Sequence, residues 1–291
     1  MKKLLLLFVL YILFDETVAQ QKSIADTKPF VLGVVDELQS KILAEKRVLN
    51  IYLPVGFNPA DTATYPVFYL LDGSADEDFI HTVGIVQFNN FPWVNRVPQS
   101  IVVGIANTDR KKDFTFPTTI EDDKKLIPTS GKSADFIAFI ENELQPYISK
   151  KYKANGTRTI IGQSLGGLLA SEILLTKPEL FNQYIIISPS IWWDNGSLLK
   201  MESTIFEESF TSPLKIYIGV GKEGATPGAN PRVMEVDANL LSYKISETKS
   251  KTVKVFFEYL KEENHATISH LAIFNAMRLL YPVVKIETVQ E

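Results

Sequence analysis

The chain contains no cysteine and only three histidines, His81, His265 and His270. Without thiols there is no disulfide, no thiolate metal site, no cysteine nucleophile and no lipid-modified N-terminal cysteine. Three scattered histidines argue against a histidine-rich metal centre. An excess of positive charge is also missing. The net charge is -4 and the pI is near 5.6, which gives no reason to expect nucleic acid or an anionic membrane surface as partner.

No apolar run is long enough to cross a bilayer, which takes about 20 residues. The longest, from Leu4 to Phe14, follows Lys2 and Lys3 and is closed by Asp15 and Glu16. A basic start, a short apolar middle and the small residues Thr17-Val18-Ala19 make the pattern of a secretory signal, with cleavage expected after Ala19. A retained anchor is the other reading, and the two acidic residues argue against it. The expectation is therefore a signal peptide over 1–19 and a single domain over 20–291. The mature protein would be periplasmic or secreted, with no stable membrane insertion. A core of this size can dispense with disulfide staples outside the cytoplasm.

What is present is ordinary globular composition, 45% apolar and 22% charged, with no internal repeat. Short β-branched runs alternate with longer amphipathic stretches. The expected strands are 31–38, 47–53, 66–71, 100–106, 157–161, 183–187, 214–220 and 253–259. "VFYLL", "IVVGIA", "YIIIS" and "IYIGV" are continuous apolar runs, the mark of strands covered on both faces in a mostly parallel sheet. The first two strands alternate more and read as an antiparallel edge hairpin. Helices are expected over 133–150, with Ser133 able to cap the start, and over 165–176, 233–246 and 268–281. This order builds a doubly wound α/β sheet, whose ligands bind at the carboxyl ends of the strands.

At the end of the fifth strand stands "IIGQSLGGLLA", residues 160–170. Gly162-Gln163-Ser164-Leu165-Gly166 fits the G-x-S-x-G nucleophile elbow, in which a serine sits on a sharp strand-to-helix turn with its hydroxyl clear of the sheet. A plain glycine-rich turn is the bland alternative. Eight strands with this turn after the fifth is the layout of an α/β-hydrolase: an eight-stranded, mostly parallel sheet with helices on both faces. The new helix aims unpaired N–H groups at the site, so the Leu165 N–H is the expected first oxyanion donor. A second should come from the loop after the third strand, "LLDGSADEDF", through Gly73 or Ser74.

A serine hydroxyl needs a base. In this layout the base is a histidine after the last strand, and only His265, in "KEENHATIS", lies in that loop. His270 falls inside the following helix and His81 after the third strand. The acid should follow the seventh strand. Glu223 is the first choice and Asp237 the second, and a site with no acid stays open because some hydrolases work with serine and histidine alone.

These segments together resemble the esterase family of α/β-hydrolases that includes enterochelin-esterase-like enzymes and feruloyl esterases, from about residue 31 to residue 281. "SKILAEKRVLNIYLP" resembles its opening hairpin, "PVFYLLDGSADEDF" its oxyanion loop and "VVGIANTDRKKDFTFP" a segment rich in Arg and Asp. "SPSIWWDN" is similar to its loop after the sixth strand, and "NHAT" stands where the family has its histidine. Two departures are visible: Lys112 replaces a common arginine, and Ala266-Thr267 replaces a commoner Gly-Ser. The resemblance implies that Arg110, Trp192 and Trp193 line the substrate pocket, which would suit an aromatic, anionic acyl group. It also implies a serine carboxylic-ester hydrolase working through an acyl-enzyme, with no metal or organic cofactor required, on a siderophore-like lactone or aromatic acyl ester as small-molecule substrate. The alternatives are a carbohydrate-linked feruloyl or acetyl esterase and a non-catalytic binding protein on a hydrolase scaffold.

Overall fold

The computed structural model describes residues 28–226 and 231–282. The expected signal segment, 1–19, lies outside the described residues. Of the described residues, 33–226 and 231–282 form one compact unit. Its sheet has eight strands: β1 (Val34–Gln39), β2 (Lys46–Tyr52), β3 (Tyr65–Leu70), β4 (Ile101–Ile105), β5 (Ala154–Gln163), β6 (Gln183–Ile187), β7 (Leu214–Gly221) and β8 (Val253–Leu260). The spatial order is β1-β2-β4-β3-β5-β6-β7-β8. β2 runs antiparallel to both its neighbours, and every other pairing is parallel. This is the eight-stranded α/β-hydrolase sheet expected from the sequence.

The continuous apolar runs have the reason anticipated for them. β4 and β6 are buried at every position. Side chains alternate across a strand. Tyr69, Ile160, Ile186 and Ile218 join one large cluster on one face. Their neighbours Phe68, Ile161, Ile185 and Tyr217, equally buried, turn to the other.

Five helices of more than two turns flank the sheet among the described residues: α1 (Phe79–Asn90), α2 (133–152), α3 (Leu165–Thr176), α4 (Met234–Ser246) and α5 (Ile268–Leu280). α3 packs on β5 and β6, α4 on β7 and β8, and α5 on β6, β7 and α1. α3 is buried from Leu165 to Leu175, as a helix that is apolar all round must be. Each of its wholly buried Leu and Ile side chains contributes about 1.5–3 kcal/mol of transfer free energy.

Two features of α2 differ from the sequence expectation. The helix is not continuous over 133–150. It runs Ser133–Phe139, widens into a π turn over Ile140–Leu144, and resumes over Gln145–Tyr152. Pro146 explains this: a proline has no N–H for the carbonyl four residues back, and its ring pushes that carbonyl away. Nor does Ser133 cap the start. The start has no side-chain cap, and the Ser133 hydroxyl instead donates to Glu172 Oε1 at 3.0 Å. α1 was not expected. Its Thr82, Val83, Gly84, Ile85 and Val86 are weak helix formers, and packing against α5 overrides that preference.

Candidate active site

β5 delivers its last residue, Gln163, to the rim of the sheet, and Ser164 turns the chain at φ 58°, ψ -119°. This left-handed region is costly for a residue with a side chain, and such strain persists only where the surroundings enforce it. Here the enforcement is steric and hydrogen-bonded. Ser164 N donates to Ile187 O at 3.0 Å, and Ser164 O accepts from Leu168 N at 2.9 Å and Ser190 N at 3.0 Å. A Cβ on Gly162 would lie 2.3 Å from Gly166 O, and one on Gly167 would lie 2.8 Å from Ile187 O. Both positions therefore demand hydrogen.

The Ser164 hydroxyl lies 3.0 Å from His265 Nε2 and 3.3 Å from Ser190 Oγ. His265 Nδ1 lies 2.6 Å from Glu223 Oε2. With its proton on Nδ1, the imidazole donates to the carboxylate and presents the Nε2 lone pair to the serine. Glu223 follows β7 directly and its side chain is only 3% exposed. Burial works to raise its pKa, but hydrogen bonds from His265, Ser188 and the Gly221 N–H outweigh it, so the carboxyl lies below its ordinary value. Oε1 takes up the Ser188 hydroxyl and the Gly221 N–H. Asp237, the second candidate acid, is elsewhere engaged: it is 2% exposed and grips Arg232 with both oxygens, at 2.8 and 2.6 Å.

Several short contacts hold the histidine loop. The Asn264 side chain accepts from Ala266 N at 2.9 Å, and Thr267 Oγ1 accepts from Asn264 N at 3.1 Å. The unusual Ala266-Thr267 pair thus closes the turn. The Gln163 amide donates to the His265 carbonyl and accepts the Ser269 hydroxyl. Lys222 N donates to Glu263 O at 2.7 Å, tying the acid loop to the histidine loop. The other two histidines lie apart from the serine, with their rings 5.5 Å from each other; His81 Nε2 is 3.0 Å from Asp78 Oδ1.

The expected oxyanion donors divide. As the first helical residue of α3, Leu165 has no acceptor for its N–H within the helix. Gly73 does not qualify as a donor: its N–H is spent on Ile105 O at 3.0 Å. The Ser74 N–H has no acceptor among the described residues.

Ser164 and His265 open into a cavity of about 460 Å³. Trp192 lines it; Trp193 does not. The Trp193 ring is 0% exposed in the core, with its indole N–H donating to Phe116 O at 2.8 Å, because the chain turns between the two residues. Arg110 lines the cavity but is not a free cation. Its Nε and Nη2 grip Asp72 at 2.6 and 2.9 Å, and Nη2 also reaches Gln163 O at 3.2 Å. Asp72, at φ 54° just before Gly73, takes up Asn107 Nδ2 at 2.7 Å as well. Lys111 lines the same cavity and has no ion pair among the described residues. Lys112 is directed away, toward Glu45 at 3.5 Å. Among the described residues no acidic, histidine or cysteine cluster could hold a metal ion, and no helix is long and apolar enough to cross a membrane.

Sequence reasoning did not find a role for Asp72, the Gln163 side chain, Ser188 or Ser190. Only the pair of serines flanking Pro189 in "SPS" offered a signal, since both sit at the carboxyl end of β6.

A serine elbow, a histidine loop and a carboxylate loop at one rim of this sheet are the architecture of an α/β-hydrolase. The profile of the "Putative esterase" family matches residues 40–254, and the chain belongs to that family of esterases. The chain is similar to the ferri-bacillibactin esterase BesA of Bacillus subtilis (strain 168), with 28% identity over 82% of this chain and 86% of that protein. Among solved structures it resembles an IroE-like serine hydrolase from Shewanella oneidensis, with a TM-score of 0.75 and 29% identity, covering 86% of this chain and 80% of the other. It also resembles the BES protein from Bacillus cereus, with a TM-score of 0.72 and 27% identity, covering 89% and 99% of the two chains.

Proposed function

We propose that this esterase hydrolyses the ester bonds of a siderophore-type lactone or a related aromatic acyl ester, through an acyl-enzyme on Ser164. The observation that carries the catalytic part is the unbroken chain from Ser164 Oγ to His265 Nε2 at 3.0 Å and from His265 Nδ1 to Glu223 at 2.6 Å. Ser164 Oγ attacks the ester carbonyl while His265 Nε2 takes its proton. The carbonyl oxygen becomes an oxyanion, held by the Leu165 N–H and the Ser74 N–H. Collapse expels the alcohol, which takes the proton back from His265 and leaves an acyl-serine. Water then repeats the sequence and releases the acid. Glu223 keeps the imidazole in the right tautomer and stabilises the imidazolium.

Substrate class rests on different support: the likeness to a ferri-bacillibactin esterase, and the cavity itself. Trp192, Leu126, Ile127 and Met234 give it apolar walls, and Lys111 supplies a cation, a combination that suits a flat, anionic aromatic group. Residues 1–19 would direct the enzyme out of the cytoplasm.

A turnover panel tests the reading. Catecholate trilactones should be cleaved with kcat/KM at least about tenfold above feruloyl sugars and short acyl esters, a preference of about 1.4 kcal/mol in the transition state. Preferential cleavage of feruloyl sugars would overturn the substrate class. No turnover of any ester by the folded protein would overturn the reading as a whole.

A further inference from the structure

The loop that carries Glu223 is held by a second carboxylate. Glu235 lies in the first turn of α4. Its Oε1 accepts from Glu223 N at 2.7 Å and from Gly224 N at 3.0 Å, and its Oε2 lies 3.0 Å from Gly224 N. The same turn of α4 returns a backbone bond, Met234 N to Gly224 O at 3.0 Å, while Ala225 pairs with Val233 in an antiparallel bridge. Thr226 N reaches Arg232 O at 2.7 Å. Residues 223–226 therefore lie back against residues 232–235, with Glu235 bonded to the Glu223 and Gly224 peptides.

We propose that Glu235 is a positioning residue for catalysis, one that fixes where the Glu223 carboxylate stands beside His265. It makes no hydrogen bond to His265 or Ser164. Its effect passes through the Glu223 and Gly224 peptide N–H groups, which no other acceptor takes up among the described residues. Hydrogen bonds from N–H groups to an ionised carboxylate are the stronger kind. Two consecutive peptides held this way leave the Glu223 backbone little freedom, which matters because the 2.6 Å contact to His265 depends on it. Arg232 and Asp237, paired with each other, flank the clamp without joining it.

The inference rests on the proposed role of Glu223, and the test separates the two. Steady-state kinetics on a p-nitrophenyl ester are compared for wild type, Glu223→Ala, Glu235→Ala, Glu235→Gln and the Glu223→Ala/Glu235→Ala double variant, each checked for folding by its melting curve. Small misplacements of a catalytic group cost about ten- to a hundredfold. Glu235→Ala should lower kcat about tenfold with KM within about twofold of wild type. Glu235→Gln, which keeps an acceptor oxygen at the same place, should recover most of that loss. In the Glu223→Ala background, Glu235→Ala should change kcat less than about twofold, because the group it positions is gone. Wild-type kcat in Glu235→Ala beside an impaired Glu223→Ala overturns only the positioning role. A full further loss in the double variant does the same. Unimpaired turnover by Glu223→Ala overturns the role of Glu223 and, with it, this one. Should Glu235→Ala fail to fold, Glu235→Gln in both backgrounds carries the same comparison: a loss that persists without Glu223 overturns the proposal, and one that vanishes supports it.

Discussion

Neighbouring residues of the same type do different things in this protein. Trp192 faces the cavity while Trp193 is sealed in the core. Arg110 is spent on Asp72 while Lys111 has no ion pair among the described residues. The histidines divide the same way: His265 lies 3.0 Å from the serine hydroxyl, and His270 sits exposed on α5 beside His81. His265→Ala should therefore cut ester turnover about a thousandfold, the usual contribution of a positioned base. His270→Ala should stay within about twofold of wild type in the same spectrophotometric assay. Equal losses would mean that the base has been misassigned. From sequence, position alone selected His265 and Glu223, because loop order in this fold is fixed. The pairing of Arg110 with Asp72 was not legible. Nothing in the local pattern says that a carboxylate on the oxyanion loop will neutralise a cation arriving after β4, since the two meet only once β3 and β4 are paired.

At the scale of the element, α3 carries the elbow at its start and an odd acid in its middle. Glu172 is 7% exposed; Ser133 donates to one oxygen, and the other has no partner. Burial pushes its pKa up to about 7, with the Ser133 hydrogen bond pulling the other way. A carboxyl whose pKa is higher folded than unfolded favours the fold while it is protonated. That contribution is complete below the unfolded value near 4.5 and is lost as pH rises through about 7. The loss is on the order of 3 kcal/mol. Glu172→Gln, which keeps the shape and the acceptor for Ser133, should melt close to wild type at pH 4.5 and several degrees higher at pH 8. An equal difference at both pH values would contradict the assignment of the proton to Glu172. β3, β4, β6 and β7 were readable to within a residue because they are buried on both faces and so spell continuous apolar runs, whereas β1 and β5, exposed over much of their length, begin three residues away from the expected bounds. α1 was not, since its sequence favours no helix and only contact with α5 fixes it. The π turn in α2 was written in Pro146 but masked by the regular apolar stripe around it.

For the molecule as a whole, the sheet brings five loops to one rim: the elbow after β5, the acid after β7, the histidine after β8, and the loops after β3 and β4 that form the Asp72–Arg110 latch. Each of the catalytic loops is tied to another by a backbone or amide contact, Gln163 to His265 and Lys222 to Glu263. On the proposed reading, reactivity belongs to the assembled rim and substrate preference to the cavity walls. Lys111→Gln should raise KM about three- to fivefold for a catecholate ester, since an exposed cation contributes up to about 1 kcal/mol to an ionic contact. It should leave the KM of a neutral p-nitrophenyl ester unchanged, and an equal rise for both esters would remove Lys111 from substrate recognition.

The central claim is that one hydroxyl, Ser164, carries the acyl group. Intact-protein and peptide mass spectrometry after reaction with a fluorophosphonate measures it directly. The account predicts a single stoichiometric adduct on the peptide containing Ser164 and none on Ser164→Ala. Labelling that survives in Ser164→Ala, or a folded wild type that takes up no label, would contradict it.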